Sequence, residues 1–389
     1  MDQHVQSKVA VIRCTSYDVE EVYGAISAGL DALGGIGEYI GTEERVLVKP
    51  NFLTAAEAEK CVTTHPAVIK AVCRILSEAG YTKVGMGDSP GHGTSQHAAQ
   101  KLGLAEADLY GAKLFEMSEE RRVKFPEGRF CKEFYFAKEV TTADAIIGLC
   151  KMKTHMLERV TGAVKNMYGL VCGYRKAGGH VNYPTAMKFA GMAADIHRAT
   201  PQRMHIMDAV TAMEGNGPAS GTPVQMNMIL ISSDPVALDT VFCRLVYLKP
   251  ELVPTNVQGE LAGIGTFHED RIEVLRIKRQ EGLKEYVTEP CTMDELAASW
   301  GNPAFHVPRE KEKLNILSLW SKLTGGARRP VIDPDKCIRC GMCVEHCPVE
   351  GKAVDFTKGR DHAPVYNYRK CIRCYCCQEL CPQKAISVK

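Results

Sequence analysis

Two cysteine runs of a single template, close to the end of the chain, restrict its fold more than any other feature. Both follow the pattern C-x2-C-x2-C-x3-C-P, and each ends in a proline, Pro348 or Pro382. Three thiolates at a spacing of three residues can surround one compact centre, while the fourth lies too far along the chain to join them easily. The runs therefore predict two metal-binding loops that exchange their last ligands.

This spacing resembles that of bacterial two-cluster ferredoxins, in which the fourth cysteine of each run ligates the other cluster. The resemblance covers residues 331–389 and predicts two [4Fe–4S] clusters as cofactors; zinc is a poor alternative for eight cysteines at two matching spacings. In CIRCYCCQELC, spacing selects Cys377 as a ligand and leaves Cys376 a free thiol. The predicted ligands are Cys337, Cys340, Cys343 and Cys381 for cluster I, and Cys371, Cys374, Cys377 and Cys347 for cluster II.

The rest of the composition is typical of a cytoplasmic globular protein. The chain has 48 Lys and Arg against 46 Asp and Glu, which gives no support to nucleic-acid binding. No leader pattern precedes the first strand-like run and no window approaches 18 apolar residues, so neither export nor membrane insertion is expected. In a reducing compartment, closely spaced cysteines are metal ligands more often than disulfides. Composition leaves the oligomeric state open.

Short apolar runs alternate with amphipathic segments through the first 250 residues. The runs begin at Lys8, Arg45, Lys83, Ala145, Met204 and Asn227, and segments such as HPAVIKAVCRILSEAG carry helix start and stop signals. This alternation predicts an α/β fold with a largely parallel sheet and helices on both faces, followed by a small α+β ferredoxin domain. The predicted boundaries are 1–316 for the α/β domain, 317–330 for a linker rich in Gly, Arg and Pro, and 331–389 for the ferredoxin domain.

Polar residues follow several of the predicted strands. The carboxyl ends of parallel strands meet at one edge of a sheet, where ligands bind. Lysines that converge there repel one another unless an anion compensates them, so a carboxylate or phosphate ligand is expected; scattered surface lysines are the alternative. The candidate binding residues are Lys49, Asn51, Asp88, Ser89, Lys151, Lys165, Asn166, Asp208 and Glu214. Candidates for catalysis are Lys153, His155 and His180, the last in a glycine-rich stretch predicted to be a mobile or plain surface loop.

The order of these motifs resembles one protein family. VLVKPNF, GDSPG, KMKTH, TGAVKNMYG, DAVTAMEGNGP and SSDPVALDT, between about residues 8 and 250, are similar to the domain-of-unknown-function 362 family, which is found in anaerobes and often fused to a two-cluster ferredoxin. The resemblance implies an α/β domain of the lactate-racemase type. It also marks the motif residues as pocket candidates, without assigning them roles.

Three functions are compatible with these features. The first is an iron–sulfur oxidoreductase that takes electrons from a ferredoxin or similar donor protein and passes them to an anionic organic substrate. The second is an electron-transfer or scaffold subunit that relays electrons to a partner enzyme, which would explain why no flavin motif is visible. The third is a non-redox racemase or isomerase with structural clusters. Paired clusters of the electron-carrier pattern favour the first two.

Overall fold

The computed structural model describes residues 7–173, 175–280, 282–283, 285–308 and 328–389. The predicted linker lies outside the described residues as far as residue 327, and the domain boundaries stay predictions. None of the helices in these ranges is both long and apolar enough to span a bilayer.

The main body is a ten-stranded mixed sheet in the order β12-β11-β1-β10-β9-β7-β2-β3-β4, with β8 paired to β7. Its strands are β1 Ser7–Arg13, β2 Val46–Lys49, β3 Val84–Met86, β4 Lys113–Leu114, β7 Ala145–His155, β8 Arg159–Thr161, β9 Gln202–Glu214, β10 Thr222–Ser232, β11 Ile272–Arg279 and β12 Tyr286–Cys291. A separate hairpin joins β5 Glu120–Lys124 to β6 Glu133–Ala137. The α/β class is confirmed: β4, β3, β2, β7 and β9 are parallel neighbours. In the other half, β10 is antiparallel to both β1 and β9, β11 is parallel to β1, and β12 is antiparallel to β11.

Helices cover both faces of this sheet, so its central strands are buried on both sides. They are α1 Val19–Ala32, α2 Pro66–Glu78, α3 Ser95–Lys101, α4 Lys138–Thr142, α5 Ala163–Asn166, α6 Arg175–Asn182, α7 Ala186–Ala199, α8 Pro235–Leu245, α9 Pro254–Leu261 and α10 Met293–Trp300. Alternate β1 residues show the two layers: Ala10 and Ile12 pack with α1 and α2, whereas Val9 and Val11 pack with α8. Every residue of β2 and β7 is buried, as expected of central parallel strands.

The stretch predicted as a mobile or surface loop around His180 is instead helix α6. It lies between the short 3-10 helix Met167–Leu170 and α7. Gly178 and Gly179 lie inside it, and a Cβ at Gly179 would collide with the hydroxyl of Tyr168. The glycine pair that suggested a loop therefore includes one residue required for close packing.

The C-terminal unit contains two short sheets and two one-turn helices. β13 Pro330–Ile332 pairs with β16 Ile386–Val388, and β14 Val354–Asp355 pairs with β15 Val365–Tyr366. Helices α11 Met342–Glu345 and α12 Cys376–Glu379 follow the first two cysteines of each run. The template is repeated in the backbone too: Arg339 and Gly341 in one run, and Arg373 and Tyr375 in the other, all have positive φ.

Helix α12 joins this unit to the sheet. The Nε2 group of buried Gln378 donates to Asn216 O and Asn216 Oδ1, both at 3.0 Å, and to Gly217 O at 3.3 Å. In return Asn216 Nδ2 donates to Ile386 O. The ring of Tyr375 packs into the apolar cluster around α7. These contacts fix the cluster-bearing unit against the segment that follows β9.

We expect Gln378→Ala to lower the free energy of unfolding by about 1–3 kcal/mol, because it leaves buried acceptors on Asn216 and Gly217 without their donor. Anaerobic denaturant unfolding of the cluster-loaded protein measures this. Gln383→Ala, at an exposed position of the same unit, is the matched control and should change stability by less than about 0.5 kcal/mol. Equal effects of the two substitutions would contradict the role given to Gln378.

Candidate functional site

The eight template cysteines line two separate cavities within the C-terminal unit. Cys337, Cys340, Cys343 and Cys381 share one cavity, and Cys347, Cys371, Cys374 and Cys377 share the other. The structure thus groups the cysteines in the two sets that the spacing predicts, and their ligation of the clusters stays a prediction. Cys376 is absent from both sets and points to a different cavity. Thiolates grouped four and four around apolar cavities fit two [4Fe–4S] clusters.

Hydrogen bonds to sulfur surround these cavities. Ala353 N donates to Cys347 Sγ and Ala385 N donates to Cys381 Sγ, each at 3.3 Å, so the fourth cysteine of both runs receives an equivalent bond. The Tyr366 hydroxyl lies 3.1 Å from Cys377 Sγ. Donors to cluster ligands raise a cluster's reduction potential by stabilising its more negative state. Cys340 is the exposed ligand of cluster I, while three of the four ligands of cluster II are buried.

A third and larger cavity, of about 630 Å³, lies between the carboxyl edge of the sheet and the C-terminal unit. We call it the interdomain cavity. From the α/β body it is lined by residues that include Asn51, Asp88, Ser89, Lys153, Lys165, Asn166, Lys176 and His180. From the C-terminal unit it is lined by residues that include His346, Cys347, Pro348, Cys376 and Glu379. Cys347 and Pro348 also line the cavity of cluster II, so that cluster adjoins the interdomain cavity directly.

Lys49, predicted to bind a ligand, is instead paired within the chain. Its Nζ lies 2.9 Å from Asp88 Oδ1, and both side chains are buried. Asp88 also accepts from Phe52 N at 2.7 Å. Gly169 permits this arrangement, because a Cβ there would collide with Asp88 Oδ1 and with the end of the Lys49 side chain. Lys49 therefore supports the cavity through Asp88 rather than lining it.

Lys151 and Asp208 form a second buried pair away from the cavity lining. Lys151 Nζ lies 2.8 Å from Asp208 Oδ2, and Tyr17 donates its hydroxyl to Asp208 Oδ1 at 2.8 Å. Glu214, at the end of β9, accepts from His306 N and also lies outside the lining. Of the four lysines expected to converge on an anion, two are thus neutralised by aspartates of the chain itself.

Lys153 and Lys165 are the predicted lysines that line the cavity. Lys153 Nζ is buried and donates to Asn51 Oδ1 and Val62 O, at 2.7 and 2.5 Å, and the described residues give it no carboxylate partner. Burial and then the charge of Lys165 lower the pKa of Lys153 well below its usual value. Among the described residues Lys165 has no ion-pair partner, and its Nζ lies 5.7 Å from the ring of Phe189.

His155 lies behind the lining and positions Glu379. Its Nδ1 accepts from Leu157 N and Glu158 N, both at 3.1 Å, so the proton of the neutral ring resides on Nε2. That Nε2 lies 3.0 Å from Glu379 Oε1. Burial lowers the pKa of His155 to about 4, in agreement with a neutral ring. The predicted catalytic histidine is therefore tied to helix α12, and Glu379 stands between it and the cavity.

Helix α6 supplies two further cavity residues, Lys176 and His180, spaced four apart on one face. Burial lowers the pKa of Lys176 to about 8 and that of His180 to about 4. In the described part of the chain, His180 Nδ1 and Asn166 Nδ2 are buried without a hydrogen-bond partner. Such atoms are costly to leave without a hydrogen-bond partner in a protein interior.

Lys176 was not predicted from the sequence, and of the cavity residues from the C-terminal unit only Cys347 was predicted to have a role, as a cluster ligand. The spacing of Lys176 and His180 was a usable helical signal, but the intervening glycines obscured it. No short sequence pattern indicated that Glu379, Cys376 or His346 would lie at the edge of the sheet. The linker separates these residues from the sheet in sequence, and the docking contacts that bring them together are not visible in the sequence. The ring of His346 lies 5.1 Å from that of His92, across the junction.

An α/β body joined to a unit that brings together two sets of four cysteines defines a two-cluster iron–sulfur protein. The model for the domain of unknown function DUF362 matches residues 46–244, and that for a 4Fe-4S dicluster domain matches residues 329–382. The chain thus belongs to the DUF362 family and carries two [4Fe–4S] clusters, which confirms both the resemblance and the predicted cofactors. It is also 33% identical over 263 residues to a thylakoid-associated protein of Synechocystis sp., covering 66% of this chain and 79% of that protein.

Two solved structures were also matched. The lactate racemase apoprotein of Thermoanaerobacterium thermosaccharolyticum has a TM-score of 0.37 at 12% identity, over 63% of this chain and 58% of that one. A Thermotoga maritima protein from a structural genomics consortium has a TM-score of 0.29 at 13% identity, over 70% and 54%. The chain therefore spans just over half the length of these two proteins.

Separate substitutions of Cys376 and Cys377 show which of these adjacent cysteines is the cluster ligand. We expect Cys377→Ser to lose about half of the roughly eight irons per chain, because a cluster that lacks one thiolate is released or degraded. Cys376→Ser should keep the full iron content. Iron and sulfide analysis with EPR of the reduced protein measures both, and the reverse pattern would make Cys376 the ligand.

Gly169→Ala tests the packing around the buried ion pair. The added methyl group must displace Lys49 or Asp88, and we expect a loss of about 1–3 kcal/mol of stability, as for other overpacked cores. Gly178→Ala is the matched control, since no atom lies within 4 Å of a Cβ at Gly178, and a helical alanine should be neutral or stabilising. Thermal unfolding of both variants measures their stability. If Gly169→Ala is as stable as the wild type, the Lys49–Asp88 pair tolerates displacement.

Proposed function

We propose that this protein is an iron–sulfur reductase that binds an anionic organic substrate, a carboxylate or phosphate compound, in the interdomain cavity. The observation that carries the proposal is the position of that cavity. One wall is the polar carboxyl edge of a parallel sheet, where α/β proteins bind ligands. The opposite wall contains Cys347, a ligand of cluster II.

Four lysines line the cavity, Lys153, Lys165, Lys176 and Lys352, against the three carboxylates of Asp88, Glu345 and Glu379. Lys165 has no ion-pair partner among the described residues, and Lys153 and Lys176 have oxygen acceptors but no carboxylate. Asp88 is neutralised by Lys49 from behind. A substrate carboxylate or phosphate would be held by Lys165, with Asn166 Nδ2 available as a further donor.

In the proposed reaction the clusters supply single electrons, and side chains of the cavity donate the protons. The lowered pKa of Lys153 makes its ammonium group a better proton donor than an ordinary lysine, and its Nζ reaches the cavity beside Asn51. His180 Nδ1, buried and unpartnered among the described atoms, can hold a polar substrate group. His155 takes a positioning role because it keeps the Glu379 carboxylate at the cavity wall.

A second candidate function is an electron-transfer subunit that serves a partner enzyme. The Synechocystis relative favours it, because a thylakoid-associated protein has other membrane-associated proteins as neighbours. In that case the interdomain cavity would receive a group from the partner rather than a free metabolite.

The deciding experiment is an anaerobic titration of the cluster-loaded protein, reduced stoichiometrically, with a panel of small carboxylates and phosphate esters. Cluster absorbance reports re-oxidation and mass spectrometry identifies the product. Re-oxidation by one compound with formation of its reduced form supports the reductase. Clusters that remain reduced with the whole panel, and are re-oxidised on addition of a second protein, overturn it in favour of the relay subunit.

Lys165→Met should slow re-oxidation by the active compound at subsaturating concentration by about tenfold or more, because it removes a charge-assisted contact to the anion. Lys113→Met, at an exposed position on β4, is the matched control and should react at the wild-type rate. Reduction of both variants by the methyl viologen radical shows that their clusters are intact. Equal rates for the two variants would remove Lys165 from the binding site.

A further inference from the structure

The C-terminal unit carries an excess of positive charge that the interdomain cavity does not use. Residues 328–389 contain twelve Lys and Arg against seven Asp and Glu, although the whole chain is nearly balanced. Charge confined to one unit creates a local field, which acts on approaching partners more than on the fold.

Four exposed residues carry part of this excess on one surface. We call Arg328, Arg329, Arg369 and Lys370 the cationic patch. Tyr368 connects the two pairs: the guanidinium carbon of Arg329 lies 4.6 Å from the centre of its ring, and Arg369 is the next residue in sequence. Tyr368 in turn donates to Pro330 O at 2.9 Å.

Nothing in the described part of the chain neutralises the cationic patch. None of its four members has an ion-pair partner among the described residues. The acid nearest in sequence, Asp333, lies 3.5 Å from Lys336 instead, and Lys370 Nζ donates to the carbonyl of Gly351 at 3.4 Å. Unpaired guanidinium and ammonium groups on one surface are well placed to meet carboxylates of another molecule.

The cationic patch lies at cluster II. Arg369 and Lys370 directly precede the ligand Cys371, which is half-buried, and Pro330 follows Arg329 and lines the cavity of cluster II. Tyr375, which lines the same cavity, donates its hydroxyl to Arg328 O at 3.0 Å. A partner that docks here therefore stands beside one cluster, on residues separate from those that line the interdomain cavity.

The face around cluster I is a weaker candidate for docking. Its exposed ligand Cys340 is flanked by Lys336, which lies 3.5 Å from Asp333 Oδ2, and by Arg339, which donates to Asp361 O. Lys358 and Arg360 are exposed nearby, but Asp355 and Asp361 are exposed in the same segment. Positive and negative charges alternate there, so that face offers less attraction to a charged partner.

We propose that the cationic patch is the docking surface for an acidic one-electron carrier protein, which exchanges electrons with cluster II through the side that bears Cys371. The inference builds on the proposed redox function, but it concerns how electrons enter rather than what they reduce. Each encounter transfers one electron: the carrier is oxidised by one and the cluster is reduced by one, with no bond formed or broken. Two clusters allow the chain to hold two electrons from successive encounters.

Stopped-flow reduction of the oxidised, cluster-loaded full chain by a reduced, acidic two-cluster ferredoxin tests the proposal in the absence of any substrate. The wild-type second-order rate constant should fall about tenfold between low and high salt, because screening weakens the attraction. Arg369→Glu/Lys370→Glu and, separately, Arg328→Glu/Arg329→Glu should each slow the reaction about tenfold at low salt. Reduction by the cationic methyl viologen radical should not be slowed in either variant, which controls for damaged clusters.

Lys358→Glu/Arg360→Glu is the matched control, with the same change of charge near cluster I. Its rate constant should remain within about twofold of the wild type. If this variant alone is slow, the carrier docks at cluster I and the proposal is wrong; if no variant differs from wild type, no charged docking surface exists. Loss of co-sedimentation with anionic phosphatidylglycerol vesicles in the patch variants, with unchanged carrier rates, would assign the patch to a membrane surface instead. Because no substrate is present, failure of the reductase proposal leaves these outcomes interpretable.

Discussion

The pairing of buried lysines with buried aspartates is the interaction on which the carboxyl edge of the sheet depends. Ammonium groups out of water are costly unless a carboxylate or several oxygens meet them. Asp88 meets Lys49 and Asp208 meets Lys151, so each of these two buried ammonium groups has a carboxylate partner. Because these two charges are compensated, the positive charge left for a ligand comes from Lys153, Lys165 and helix α6.

The same edge explains why a cavity forms at all. The parallel strands end in polar residues that cannot be covered by an apolar helix without loss of hydrogen bonds. Helix α12 covers them with Gln378 and Glu379, which bring hydrogen-bonding groups of their own. The interdomain cavity is the space that remains between these two polar surfaces. Asn166 and His180 line it, and each has a side-chain atom without a hydrogen-bond partner among the described residues.

Local patterns predicted what depends on short stretches of chain. Cysteine spacing predicted the two ligand sets because both ligand number and loop geometry are local to each run, and the strand-end rule found Asn51, Asp88 and Lys153. The strand-end rule could not predict that Asp88 would neutralise Lys49, because that pairing depends on the register of two separate strands. Nor could it predict helix α6, because two adjacent glycines cost helical stability that only packing against Tyr168 and Phe189 restores.

Tyr375 occupies the position that Gly341 occupies in the first cysteine run, with the same positive φ. A tyrosine accepts that backbone conformation at some cost, and here its ring is packed against the α/β body. Of the two repeated cysteine runs, the second therefore carries a side chain that packs against the α/β body, whereas the first has a glycine at the same position. The two clusters have the same kind of ligands at the same spacing, but their surroundings differ. A difference in their affinity for electrons therefore arises from the surface that each cluster faces and not from the repeated motif.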